Sequence, residues 1–188
     1  MTYFFKYYND GKNPALVRSI LISPYLMPGS LDCINKLPKD DYLICIGYTD
    51  GDTQIGCTGK IDCDEEAIDA AQREVLEEIN IDCCHRKINL ISSNKKVKFF
   101  EIDINDCSIN TNRQIVKKEK SSKGKVMICI HGPLYEIDQI LKNIPVRYLK
   151  DQEKINHCIA IPITECIKII KYKKENNIKT VFKWPPEK

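Results

Sequence analysis

The sequence predicts a single mixed α/β domain. Three observations indicate this fold class: several short runs rich in Ile and Val, one long segment whose apolar residues follow a helical period, and helix signals late in the chain. A chain of 188 residues with 43% hydrophobic content can bury a sizeable core without disulfide or metal support. We therefore predict one domain over residues 1–188.

Composition and charge exclude several classes of protein. The 29 basic and 26 acidic residues leave a net charge of +3, which is too small to indicate nucleic-acid binding by itself. No run approaches the roughly 20 apolar residues of a membrane-spanning helix, and the first residues lack the pattern of a secretory signal. We expect a cytoplasmic protein with no membrane partner, whose ten scattered cysteines are reduced and mostly buried. The oligomeric state stays open.

The first half of the chain contains two clear strand candidates. Residues 17–23 form a β-branched run that Pro24 ends, and residues 42–48 form an apolar run followed by a Thr-Asp-Gly-Asp turn. The stretch between them, residues 25–41, is rich in turn residues and is predicted to be a loop.

The second half supplies further strands, a basic loop and two helices. Residues 88–91, 97–104, 126–130 and 159–163 are apolar runs of strand length. Residues 105–125 are polar and end in a lysine-rich run, which predicts an exposed, mobile basic loop. Apolar residues have helical spacing over 135–143, before Pro145, and Thr164 can cap a final helix.

The segment Gly59–Ile81 predicts an amphipathic helix in its second half. At about 100° per residue, four apolar residues fall on one helical stripe: Ile68, Ala71, Val75 and Ile79. Asp62 or Asp64 can cap the first turn, and Glu65 completes a capping-box-like pair with Asp62.

Three carboxylates converge on another face of this helix. Glu74, Glu77 and Glu78 stand at i, i+3 and i+4, where like charges destabilise a helix by a few tenths of a kcal/mol per pair. A hard divalent cation would reverse that cost, because Mg²⁺ prefers oxygen ligands and bridges carboxylates to phosphates. Arg73 can pair with Glu65, two turns earlier. On spacing alone, a solvated acidic face remains the favoured interpretation.

The whole segment resembles the signature of the Nudix hydrolases, G-x5-E-x7-R-E-U-x-E-E-x-G-U, in which U is a bulky aliphatic residue. The matching residues are Gly59, Glu65, Arg73, Glu74, Val75, Glu77, Glu78 and Ile81. Asn80 stands where the family has glycine, and asparagine also tolerates the left-handed conformation of a helix C-cap. The resemblance implies the family's α/β/α sandwich with a mixed central sheet.

The resemblance also implies a metal site. Glu74, Glu77 and Glu78 would hold Mg²⁺ or Mn²⁺ together with the backbone carbonyl of Thr58, and Glu74 and Glu78 would be catalytic. The signature residues with structural roles would be Gly59, Glu65 and Arg73. Some relatives use another acidic residue from a later loop as base or ligand, and four positions are candidates: Glu101, Asp103, Glu119 and Glu136. The group Cys83, Cys84 and His85 is a further metal candidate, for which surface or core roles are the favoured interpretation.

The implied activity is metal-dependent hydrolysis of a phosphoanhydride bond in a nucleoside-diphosphate-linked substrate. An inactive Nudix-fold binding module is the alternative, and it is disfavoured because all four signature glutamates are present.

Two substrate classes stay open. One is the 5′ cap of mRNA, with release of methylated GDP, since the run I-G-C-T-G-K-I-D and the Ile-, Lys- and Asn-rich composition are similar to Nudix enzymes of large eukaryotic DNA viruses. The other comprises nucleotide sugars, dinucleoside polyphosphates, oxidised nucleotides and inositol pyrophosphates. For capped RNA, the predicted contacts to the RNA backbone come from Lys117, Lys118, Lys120 and Lys123. The alternative for these lysines is a solvated loop.

Overall fold

The computed structural model describes residues 5–7, 15–16, 20–25, 27–48, 52–79, 81–104, 108–109, 122–143, 155–176 and 182–184. The strands of these ranges are β1 (Phe5–Tyr7), β2 (Ala15–Leu16), β3 (Ile20–Tyr25), β4 (Tyr42–Tyr48), β5 (Asp52–Ile55), β6 (Cys57–Asp62), β7 (Ile81–Asp82), β8 (Ile88–Ser93), β9 (Val97–Asp103), β10 (Ser108–Ile109), β11 (Ser122–Gly132), β12 (Ile155–Pro162) and β13 (Phe182–Trp184). The helices are α1 (Ser30–Asn35), α2 (Ala67–Ile79), α3 (Leu134–Asn143) and α4 (Ile163–Asn176).

Eleven of these strands form one mixed sheet, while β7 and β10 pair with each other. The longest path across the sheet runs β13-β3-β5-β4-β11-β9-β8, in which the pairs β3–β5 and β11–β9 are parallel. The other neighbours on this path are antiparallel, and β12 pairs with β4 while β6 pairs with β11. The predicted mixed α/β class is confirmed.

Gly56 marks the point where the chain passes from one strand of the sheet to another. On its N-terminal side β5 pairs with β4, and on its C-terminal side β6 pairs with β11. Its backbone N–H donates to the Ile44 carbonyl oxygen at 2.9 Å, and its φ is 70°. A Cβ at Gly56 would lie 2.0 Å from the Ile128 carbonyl oxygen, so only glycine fits this crossing.

The sheet has an apolar cluster on each face, because side chains alternate along a strand. On β11, Val126 and Ile128 belong to one cluster, and Met127 and Cys129 belong to the other. The first cluster also contains buried residues of α2 and α3, and the second contains buried residues of α1 and α4. Helices therefore cover both faces, and α2 packs on the face of β6 and β11.

Several predicted elements have different boundaries in the structure. The predicted loop over 25–41 contains α1, and Ser30, Cys33 and Ile34 of this helix are buried. The strand predicted over 17–23 continues through Pro24 to Tyr25, and residues 17–19 lie outside the described ranges. Helix α4 begins at Ile163, so Thr164 lies inside its first turn and does not precede it.

Both described parts of the predicted basic loop are in strands. Residues 108–109 form β10, and residues 122–125 are the first part of β11. The rest of the predicted loop, residues 105–107 and 110–121, lies outside the described residues. Strands β5 and β6, which no pattern had predicted, carry the residues that face α2.

Candidate active site

The turn between β6 and α2 is held by Asp62 and Glu65. The backbone N–H of Asp62 donates to Glu65 Oε1 at 3.1 Å, and the backbone N–H of Glu65 donates to the Asp62 carbonyl oxygen at 3.2 Å. The first contact is the predicted capping-box-like one, although α2 itself begins two residues later, at Ala67. Glu65 is thereby fixed in front of the helix.

The Arg73 guanidinium joins β6, this turn and α2. Its Nη2 lies 2.6 Å from Glu65 Oε1 and 2.9 Å from the Lys60 carbonyl oxygen, and its Nε lies 3.3 Å from Glu65 Oε2. Its Nη1 lies 2.7 Å from Glu74 Oε1 and 3.6 Å from Glu77 Oε2. Burial raises the pKa of Glu65, but hydrogen bonds from Arg73 and from a backbone N–H bring it below its ordinary value.

Glu74 lies directly against Gly59. A Cβ at Gly59 would lie 1.9 Å from Cδ and 2.0 Å from Oε1 of Glu74, so any side chain at this position would displace the carboxylate. Burial raises the pKa of Glu74 to about 7; the positive charge of Arg73 opposes this rise, and the negative charge of Glu77 adds to it. Gly59 is therefore required by space, whereas Gly56 is required by its backbone conformation as well.

Gln54 orients the third carboxylate, Glu78. Gln54 Nε2 donates to Glu78 Oε2 at 3.1 Å and to the Gly56 carbonyl oxygen at 2.9 Å, and its own Oε1 accepts from Thr58 Oγ1 at 2.7 Å. Burial and the charge of Glu74 raise the pKa of Glu78 well above its ordinary value, against hydrogen bonds from Gln54 and from the Thr58 backbone. No sequence pattern indicates Gln54, because β5 is not predicted as a strand.

The three carboxylates share one buried patch. The exposed fractions of Glu74, Glu77 and Glu78 are 8%, 7% and 7%, which differs from the solvated acidic face that spacing alone had favoured. Thr58 lies beside them, since its backbone N–H reaches Glu78. The structure thus brings together every residue to which the signature assigned a metal-binding role.

The chemistry of these donors fits a hard divalent cation: carboxylate oxygens, a nearby backbone carbonyl and an excess of buried negative charge. In the described part of the chain, however, no three His, Cys, Asp or Glu side chains are arranged as a coordination group. At α2, Arg73 contacts Glu74 and Glu77, and Gln54 contacts Glu78.

The other metal candidate, formed by Cys83, Cys84 and His85, is described in full and is not arranged as a coordination group either. Cys83 is buried in the cluster that contains α2, whereas Cys84 is exposed. His85 lies on the surface, where its Nε2 is 2.9 Å from Asp69 Oδ1.

The acidic candidates from later in the chain fall at different places. Glu101 and Asp103 stand opposite Cys129 and His131 in the β9–β11 register, so they belong to the sheet face that α2 does not cover. Glu136 lies in the first turn of α3, on the same face as α2. Glu119 lies outside the described residues.

A second titratable cluster, which the sequence did not predict, surrounds His131. Its Nδ1 lies 2.8 Å from Asp41 Oδ2, and its Nε2 lies 3.0 Å from Glu101 Oε2. The His131 side chain is 3% exposed, and the carboxylates are 18% and 28% exposed. Both ring nitrogens of one buried imidazole therefore face carboxylate oxygens.

Among the predicted RNA-contacting lysines, Lys123 lies in β11, and Lys117, Lys118 and Lys120 lie outside the described residues. Within the described ranges, no helix is long and apolar enough to span a membrane. Comparisons with protein-family models, with curated proteins and with solved structures find no match to this chain.

Proposed function

We propose that this chain is a divalent-metal-dependent hydrolase of the Nudix type, which cleaves a phosphoanhydride bond in a nucleoside-diphosphate-linked substrate. The observation that carries the proposal is the burial of Glu74, Glu77 and Glu78 in one patch beside Gly59. Burying carboxylates together costs several kcal/mol unless positive charge compensates them. Arg73 contacts two of the three, and a divalent cation would supply the remaining positive charge.

The residues that would hold Mg²⁺ or Mn²⁺ are Glu74, Glu77 and Glu78, with the carbonyl oxygen of Thr58. Such an ion, when bound, neutralises phosphate oxygens and lowers the pKa of a bound water. Glu74 and Glu78 would be the catalytic carboxylates, one of which accepts a proton from that water.

The neighbouring residues hold these groups in place. Gly59 leaves the space in which the Glu74 carboxylate lies, and Gln54 fixes the orientation of Glu78. Arg73 and Glu65 tie the turn after β6 to the helix. An inactive binding module would not need this complete set of buried carboxylates, and the proposal therefore favours an enzyme.

A substrate panel with Mg²⁺ or Mn²⁺ tests the proposal. The panel contains capped RNA, a free cap dinucleotide, ADP-ribose, diadenosine polyphosphates and an inositol pyrophosphate. We expect metal-dependent turnover of at least one substrate, and release of methylated GDP from capped RNA would identify decapping.

Two variants show whether the proposed residues are responsible. Glu78→Gln should abolish turnover, whereas Glu66→Gln should retain it, because Glu66 is exposed and stands at a position where the signature specifies no residue. Wild-type turnover by Glu78→Gln, or no hydrolysis of any substrate with either metal, contradicts the proposal.

A further inference from the structure

A basic pocket of about 500 Å³ lies where β9 and β11 begin. Four of its nine described lining residues are lysines, namely Lys95, Lys96, Lys123 and Lys125, and none of the nine is acidic. Met27 and Pro28 add apolar wall to the same pocket. Its volume suits a small molecule, because small-molecule sites measure about 300–1,000 Å³.

The pocket and the carboxylate patch lie on opposite faces of the sheet. Met27 and Val97, which line the pocket, belong to the apolar cluster that α1 and α4 cover. Helix α2, which carries Glu74, Glu77 and Glu78, packs on the other cluster. A ligand in the pocket therefore takes no part in the proposed hydrolysis.

Among the described residues, no carboxylate forms an ion pair with any of the four lysines of this pocket. All four are exposed. On α4, by contrast, Lys168 Nζ lies 3.1 Å from Glu165 Oε1. Like charges placed around one cavity repel each other, and a multivalent anion that binds between them relieves this repulsion.

The backbone around the pocket is fixed by hydrogen bonds. Asn94 Oδ1 accepts from the backbone N–H groups of Lys96 and Val97, each at 2.9 Å, and Asn94 Nδ2 donates to the Pro28 carbonyl oxygen at 3.1 Å. The backbone N–H of Lys125 donates to the Lys96 carbonyl oxygen at 3.0 Å. The turn before β9, the start of β11 and the Pro28 loop are thus held together before any ligand binds.

The lysines come from two neighbouring segments of the chain. Lys95 and Lys96 belong to the turn before β9, and Lys123 and Lys125 belong to the start of β11. The two strands pair in parallel, so these segments lie about 5 Å apart at the same end of the sheet. A ligand that reaches all four ammonium groups must therefore be compact and carry anionic groups on more than one side.

Phosphate monoesters match this charge better than other anions. Each carries about −1.5 to −2 charges at pH 7, so two or three of them balance four ammonium groups, whereas four carboxylates would be needed. A nucleotide fits less well, because the nine lining residues include no aromatic side chain on which a base could stack and no amide or carboxylate that could bind its edge.

We propose that this pocket binds a compact small molecule that carries several phosphate groups, and that the four lysines contact these phosphates. The body of the ligand lies against the apolar wall of Met27 and Pro28. A phosphorylated cyclic polyol has this chemistry, either free in solution or as the headgroup of a lipid. The site is separate from the proposed catalytic one.

The first test is calorimetric binding of inositol hexakisphosphate in EDTA, so that neither metal nor turnover is needed. The double variant Lys96→Gln/Lys125→Gln should bind at least about 10-fold more weakly than the wild type, because each substitution removes a charge-assisted contact with phosphate. No binding by the wild type, or equal binding by the wild type and this variant, overturns the proposal.

The matched control is Lys98→Gln/Lys171→Gln, which removes the same charge from two exposed positions. Lys98 lies on β9 between Val97 and Phe99, whose side chains belong to the cluster beneath the pocket, so its own side chain is on the other face. The affinity of this control should stay within about 2-fold of the wild type. An equal loss in both double variants would show attraction by net charge alone and would overturn the proposal.

Two further ligands test the shape and the source of the anion. A single-stranded oligonucleotide of equal charge should bind more weakly than inositol hexakisphosphate, and equal affinity contradicts a compact ligand. Vesicles that contain phosphatidylinositol bisphosphate are compared with phosphatidylserine vesicles of equal charge. Preference for the former, lost in Lys96→Gln/Lys125→Gln, supports a lipid headgroup, and binding of the free polyphosphate alone supports a soluble ligand. Equal binding to both kinds of vesicle contradicts recognition of clustered phosphates.

Discussion

The Glu74 carboxylate fills the space that a side chain on Gly59 would need: its carboxyl carbon lies 1.9 Å from the place where a Cβ on Gly59 would be. The backbone at Gly59 is not left-handed, so the requirement for glycine is steric. This contact links β6 to α2 and sets where the carboxylate lies relative to Gln54 and Thr58.

Gly59→Ala should displace Glu74 and remove activity. Inserting a methyl group into a packed site costs about 1–3 kcal/mol, so the free energy of unfolding should fall by a similar amount. The added substitution Glu74→Ala in the same chain should recover that stability, because it removes the clashing group, but should not recover turnover. Thermal unfolding and turnover of the three variants check this, and additive losses of stability would show that the two positions do not interact.

The buried carboxylates make the stability of the metal-free protein depend on pH. Burial raises the pKa of Glu74 from 4.5 to about 7, so between these values the folded state binds more protons than the unfolded state. The free energy of unfolding should therefore fall as pH rises through this window, and Glu78, whose pKa is also raised, acts in the same direction.

Glu74→Gln should remove the part of this pH dependence that comes from Glu74 and leave the part that comes from Glu78. Near pH 5 the variant and the wild type should have similar stability in EDTA, and above about pH 7 the variant should be more stable by about 3 kcal/mol. Urea unfolding at several pH values measures the difference. A constant difference between the two proteins across the whole pH range would contradict the raised pKa of Glu74.

Arg73→Ala should lower both stability and activity. The guanidinium makes five contacts with four residues of β6, the turn and α2, and its loss leaves buried carboxylates without compensation. We expect a loss of about 2–4 kcal/mol. Arg73→Lys should recover only part of it, because a single ammonium cannot reach Glu65, Glu74 and the Lys60 carbonyl together.

The matched control for Arg73 is Arg86→Ala, at an exposed position of a 3₁₀ turn, His85–Lys87. Its melting temperature should stay within a degree or so of the wild type, since exposed substitutions change stability by roughly 0.5 kcal/mol or less. An Arg73→Ala protein with an unchanged melting temperature would show that the guanidinium does not hold the turn.

Local spacing predicted the parts of the site that depend on one helix. The i, i+3 and i+4 carboxylates and the stripe of Ala71, Val75 and Ile79 follow from helix geometry alone, and the structure has both. The contact of Arg73 with Glu65 could also be predicted, because the two residues are eight positions apart, about two helical turns.

The remaining features depend on strands that come together from distant parts of the chain. The position of Glu74 against Gly59 requires β6 beneath α2, and Gln54 reaches Glu78 only because β5 ends beside β6 at Gly56. A run such as Asp52–Ile55 is too short and too polar to be recognised as a strand. Helix α1 is not predicted either, because it has only six residues and follows Pro28 and Gly29 in a stretch rich in turn residues.

The contacts of His131 also cannot be predicted from local spacing, because its partners Asp41 and Glu101 lie 90 and 30 residues away in sequence. A neutral imidazole has one N–H, so it can donate to only one of Asp41 and Glu101; the second contact needs another proton, on the ring or on a carboxyl group. His131→Phe keeps most of the ring volume but removes both ring nitrogens, which leaves two partly buried carboxyl groups facing an apolar ring. We expect a loss of about 2–4 kcal/mol in urea unfolding.

The surface pair of His85 with Asp69 is the matched control for this prediction. Its side chains are 49% and 47% exposed, so His85→Phe should cost less than about 1 kcal/mol. Adding Asp41→Asn and Glu101→Gln to His131→Phe should return part of the lost stability, because the uncompensated charges are then absent. If His131→Phe and His85→Phe lower stability equally, the buried cluster does not stabilise this face of the sheet.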